Sequence, residues 1–162
     1  RKKPGAGPGF DCKFFALEAV RPMKLPALVP ELLVSEFKRS VDFWCETLGF
    51  EIAYDRPDEN FVMIHSGEAF IMLGQNDGAR QDRWMSASME KPFGRGVHFE
   101  IAVADLQSIL DRCVEKDIKL HLSLEETWYR CGDTKILQRQ FAVADPDGYL
   151  VRIASEIDQK SV

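Results

Sequence analysis

RQFAVADPDGYLVRI (residues 139–153) decides the reading of this chain. Apolar residues fill both ends of the stretch. Its centre, Asp145-Pro146-Asp147-Gly148, has the residues that a tight turn selects, with proline fixing φ and glycine accepting φ > 0. The stretch is therefore two strands joined by a turn. Working outward, FVMIHSGEAFIML (61–73) lies on FAVADPDGYLVRI (141–153) at an offset of 80 residues, hairpin on hairpin. Further back, VSEFKRSVD (34–42) lies on VADLQSILD (103–111) at an offset of 69, helix start on helix start. Two registers imply an internal repeat, with longer connections in the second copy taking up the difference.

The periodicities fill in the elements. Strand, helix and three strands are expected over 27–34, 37–48, 50–55, 60–65 and 68–75, and after a polar loop (76–95) the same order over 96–103, 106–116, 118–124, 136–145 and 148–155. Phe37, Val41, Trp44 and Leu48 make one buried helical face, and Leu106, Ile109, Leu110, Cys113 and Val114 make the other. The turn residues Pro57 to Asn60 close an earlier hairpin. The fold expected is α+β, two tandem βαβββ modules (25–75 and 96–156) in a single domain spanning 23–156. Residues 1–22 begin without Met and are Gly/Pro-rich at first, so they read as an extension or an appended tail, and residues 157–162 as a second tail.

Composition narrows the partners. The chain has 162 residues, 45% hydrophobic and 29% charged, which is ordinary for a globular domain. A net charge of -5, with no basic cluster larger than Arg1-Lys2-Lys3, argues against nucleic acid, which needs a basic face. No apolar run reaches the roughly 18 residues of a membrane helix, and no signal-peptide pattern opens the sequence. Cys12, Cys45, Cys113 and Cys131 lack metal-binding spacing. The expectation is a reduced, cytoplasmic protein that does not engage the membrane. No GxSxG, P-loop, HExxH or GxGxxG motif is present.

PELLVSEFKRSVDFWCETLGFEI (30–52) and RQFAVADPDGYLVRI (139–153) resemble the bleomycin-resistance-like branch of the vicinal oxygen chelate superfamily, which also holds glyoxalases and dioxygenases. The resemblance spans about residues 25–156. It implies two βαβββ modules whose mixed sheet curls into a cup with the helices outside. It also implies a homodimer that completes each cup at its interface. In bleomycin-binding members the drug is held in that groove. In enzymatic members a divalent metal sits on His and Glu side chains of the first and last strands. Carried onto this sequence, those positions are Val29, Met72, His98 and Arg152. Of these His98 alone has a suitable donor, because Val and Met offer no hard donor and Arg is always cationic. Glu31, Glu100 or His65 would add donors if the register moved by two. The resemblance thus favours a cofactor-free protein sequestering a small, bleomycin-like molecule. A metal-dependent lyase, transferase or dioxygenase is the alternative, and a module binding a different ligand is the third reading.

Seven residues are candidate ligand contacts: Glu31, His98, Glu100, Trp84, Trp128, Tyr129 and Arg152. His98 is either a hydrogen-bonded pocket histidine or a ligand-binding group. Arg152, inward on the last strand, needs an anionic ligand or an acidic partner, for which Glu100 and Glu31 are available. Trp84, Trp128 and Tyr129 sit in or beside loops and suit either stacking on a planar ligand or a dimer contact. Glu125 and Glu126 attract a cation or form a solvated turn, while Trp44, Phe37, Phe43 and Phe50 are core.

Overall fold

In the computed structural model, residues 26–77, 84, 85 and 87–162 are described; residues 1–22, read above as an extension, lie outside them. The first module is β1 (Glu31–Val34), α1 (Phe37–Asp42, continued by a π-helical turn over Phe43–Thr47), β2 (Glu51–Arg56), β3 (Phe61–Ser66) and β4 (Ala69–Gln75). The second is β5 (His98–Ala102), α2 (Leu106–Glu115), β6 (Leu120–Cys131), β7 (Thr134–Ala144) and β8 (Leu150–Ser161). The chain is α+β, with sheets ordered β1-β4-β3-β2 and β5-β8-β7-β6. In each the first and last strands of the module run parallel, and the other pairs are antiparallel. Glu31 lies opposite Met72 and Glu100 opposite Arg152, so the ladders themselves carry the offsets of 69 and 80 found in the sequence. Within one chain the two sheets stay separate, four strands each.

Local sequence explains the element ends. Pro30 has no N–H to give to a ladder, and β1 starts after it, shorter than the expected 27–34. The Asp105 carboxylate accepts from the Ser108 N–H at 3.0 Å, which caps α2, and Glu36 caps α1 through Arg39 N–H at 3.2 Å. The predicted buried face of α2 holds at Leu106, Ile109 and Cys113, but Val114 is 70% exposed, one position off the stripe. Burial pushes the Cys113 thiol up. Burial, with Asp42 and Glu46 nearby, pushes Cys45 up to about 11. Both thiols are therefore poor nucleophiles.

The largest correction concerns β6, β7 and β8. Residues 125–131, read as a charged turn followed by loop aromatics, continue β6, and its ladder runs from Glu125 opposite Gln140 to Cys131 opposite Thr134. Residues 157–161, read as tail, complete β8, with Ser161 opposite Thr134. These segments alternate polar residues on both faces, so they lack the one-sided apolar signal that marks a core strand.

One hydrophobic core serves both modules, taking Leu32, Trp44, Ile64 and Leu73 from the first and Ile101, Ile109, Phe141 and Ile153 from the second. Polar joints cross between them at the turn after β7. Trp44 Nε1 donates to Asp145 Oδ2 at 3.3 Å, and Tyr149 Oη donates to the Leu33 carbonyl at 3.1 Å. Ser35 N–H donates to Asp147 Oδ2 at 2.8 Å, the Ser35 hydroxyl meets the other oxygen, and Lys91 Nζ lies 2.8 Å from it. Gly148 holds φ at +99°, and a Cβ there would stand 2.4 Å from Pro92 Cβ, so the turn takes only glycine.

The two aspartates titrate in opposite directions. Burial alone would raise Asp147, but Lys91 and the two Ser35 hydrogen bonds outweigh it and hold its pKa below the usual 3.8. Burial raises Asp145, against three hydrogen bonds that lower it. A depressed carboxylate contributes stability that is present above its unfolded pKa and lost as pH falls through the folded one. Asp147→Asn is therefore expected to cost about 1–2 kcal/mol at pH 7. Urea unfolding between pH 5 and 3 should show the wild type losing stability faster than the variant; parallel pH curves would show that the ion pair does not act as described.

Candidate functional site

Each strand of the second sheet alternates between the core and an outer face. Val151 and Ile153 of β8 face the core; Arg152 between them faces outward, beside Glu100 on β5 and Ala142 on β7. The same face carries His98 on β5, Gln138 and Gln140 on β7, and Glu125, Thr127 and Tyr129 on β6. These side chains form one network. Arg152 Nη2 pairs with Glu100 Oε2, and its Nη1 donates to Gln140 Oε1 at 3.3 Å. Gln138 Nε2 donates to Glu100 Oε1 at 3.1 Å. Gln140 Nε2 donates to Glu125 Oε1 at 2.8 Å and to Tyr129 Oη at 2.6 Å. Of the two acidic partners open to Arg152 in the sequence, Glu100 is the one in place.

A second cleft lies against the first sheet. Glu31 and Leu33 of β1 line it with Trp84, Met85, Met89 and Tyr149, around a volume of about 340 Å³. Glu31 stands at the exposed start of β1, opposite Met72.

The seven candidate residues thus divide. Glu100, Arg152 and Tyr129 meet in the network, and Glu31 and Trp84 meet in the cleft. His98 lies on the network's face, exposed at the first position of β5, with no hydrogen-bond partner among the described residues. Trp128 is on the other face of β6, under Lys160 Nζ at 4.0 Å from its ring centroid. Sequence reasoning passed over Gln140, Gln138 and the two methionines. The available signal for Gln140 was its place in the alternation of β7, a polar residue two positions from Ala142, which lies opposite Arg152.

The family model for the Glyoxalase/Bleomycin resistance protein/Dioxygenase superfamily matches residues 25–153, and the chain belongs to that superfamily. Bleomycin resistance proteins of Geobacillus stearothermophilus and Staphylococcus aureus are each 27% identical to it over 139 residues, which is 80% of this chain and 96% of theirs. An integron cassette protein from the mobile metagenome of V. cholerae is 15% identical, with a TM-score of 0.59 over 82% of this chain and 97% of its own. A virulence protein of Salmonella typhimurium is 19% identical, with a TM-score of 0.57 over 83% of this chain and all of its own, 100%. At such identities the solved structures show the fold alone.

The superfamily resemblance raises the question of a metal, and the donor set answers it poorly. Among the described residues no three His, Cys, Asp or Glu side chains gather as a metal group. At the positions carried over from the resemblance, Arg152 is fixed by Glu100, and a permanent guanidinium charge there repels a divalent cation. Val29 and Met72 add no hard donor. At these positions the side chains do not supply the donor set of a metal centre. No helix among the described residues is long and apolar enough to cross a membrane.

Proposed function

We propose that this chain binds and sequesters a planar, positively charged small molecule of the bleomycin type, in a groove between two copies of the chain and without a metal-dependent step. The observation that carries this reading is the cleft in which Glu31 stands beside Trp84, Met85 and Met89. A carboxylate attracts a cation, an indole face stacks on a flat ring and holds a positive charge, and methionines adapt to an irregular outline. The similarity to bleomycin resistance proteins over most of the chain supports the same ligand class.

Size argues for the second copy. A cleft of about 340 Å³ takes one ring system and lies at the small end of the usual ligand-site range of about 300–1,000 Å³. A larger drug needs another wall. The ribbon formed by the far ends of β6, β7 and β8 offers one through its Tyr129 face, while Trp128 stands out on its opposite face; the two rings are 36% and 37% exposed. Apolar and aromatic side chains held out in this way fit a subunit contact.

The biological test is protection. Expression of the chain in a bleomycin-sensitive host should raise the drug concentration at which growth stops, and a Trp84→Ala, Glu31→Gln double variant of equal abundance should not. Equal sensitivity with and without the wild-type chain would contradict the proposal.

A further inference from the structure

Gln140 is 1% exposed, and its surroundings fix which way its amide points. Glu125 can only accept, so the nitrogen of Gln140 faces it and donates at 2.8 Å. The second hydrogen of that nitrogen goes to Tyr129 Oη at 2.6 Å. Arg152 Nη1, 3.4 Å from the same phenol oxygen, also has only hydrogens to give. The Tyr129 oxygen therefore accepts from an amide and a guanidinium, while its own hydrogen is committed to no acceptor among the described residues. An oxygen that accepts in this way becomes a better donor. The ring is held by the Arg152 guanidinium, 5.7 Å from its centroid, yet remains 36% exposed.

Charge decides what that hydrogen reads. Glu100 and Glu125 set two negative charges on this face against the one positive charge of Arg152. A carboxylate or phosphate would be repelled, and a purely cationic group has nothing to accept the proton. An uncharged carbonyl oxygen meets both conditions.

We propose that the Tyr129 hydroxyl is the specificity-determining donor of this face, recognising an uncharged carbonyl oxygen on an amide-bearing planar ligand, with Gln140 and Arg152 as the residues that position it. This deepens the sequestration reading and rests on it for the face being a ligand surface. It adds a hydrogen-bond requirement that stacking and charge attraction do not contain.

The test uses benzamide and benzamidine, which share a shape; benzamidine is an amidinium cation at neutral pH and has an N–H donor where benzamide has its carbonyl oxygen. Titrations of the full chain and of its Tyr129→Phe variant are followed by the backbone amide NMR signals of β6 and β7, with the Tyr129 ring signals assigned by their loss in the variant. Benzamide should shift those signals saturably, and benzamidine, attracted by Glu100 and Glu125 alone, should bind the wild type and Tyr129→Phe equally. Tyr129→Phe, which keeps the ring and the fold, should weaken benzamide by about 3- to 10-fold, the range of one hydrogen bond. Bleomycin is absent from the experiment, so a chain that gives no protection in cells still answers for Tyr129. An equal loss of affinity for both compounds in the variant, or unchanged benzamide affinity, would overturn the proposal.

Discussion

Asp145→Ala is expected to lower the unfolding free energy by about 3–5 kcal/mol, because it strips the partner from several buried donors at once. Asp145 is 5% exposed and accepts from Trp44 Nε1 and from the backbone N–H groups of Asp147 and Tyr149 at 2.9 Å each. Each unmet buried donor costs about 1–3 kcal/mol, and water entering the site offsets part of the sum. The loss falls on the joint between the modules, since Trp44 belongs to the first and the turn to the second. Asp145→Asn keeps one accepting oxygen and should cost about half as much. Burial raises the Asp145 pKa, against the same three hydrogen bonds, which favour the charged form. Urea unfolding of the two variants checks this, and an alanine variant as stable as the asparagine one would show that the three hydrogen bonds do not hold the turn.

On the functional side, Trp84→Ala is expected to weaken bleomycin binding by about 10- to 100-fold, the loss typical of an aromatic anchor. Trp84 is 71% exposed and lines the cleft with Glu31, which gives a planar ligand room to stack on its ring. Glu31→Gln should cost less, roughly 3- to 5-fold, with an effect that shrinks as salt rises, because an exposed charge contributes mainly through screened attraction. Trp128→Ala is the contrast. That ring lies on the other face of β6 and already stacks beneath Lys160. A larger loss for Trp128 than for Trp84 would move the ligand from the Glu31–Trp84 cleft to the Trp128 face of the β6–β8 ribbon.

The sequence carries the fold because the repeat is written twice, once in the helix starts and once in the hairpins, and the ladders of Glu31 with Met72 and Glu100 with Arg152 keep both offsets. It carries the core for the same reason, since Trp44 and Ile109 recur at helical spacing. It hides the ribbon. Glu125, Glu126 and Thr127 look like a turn because charge on both faces removes the strand period, yet cross-strand pairing with Gln140, Arg139 and Gln138 keeps them extended. The site is legible only in part. Arg152 announces its need for a partner, and Glu100 fulfils it, but the orientation of Gln140 and the uncommitted hydrogen of Tyr129 depend on three-dimensional hydrogen-bond geometry that no spacing encodes.

Capture of a ligand without a metal can be read from tryptophan fluorescence as bleomycin is titrated into protein first assayed for zinc, nickel, iron and manganese. Saturable quenching near one ligand per chain, with no metal in stoichiometric amount, is the expected result. Stoichiometric metal together with no quenching would contradict it and turn the search toward glyoxalase-like or dioxygenase substrates.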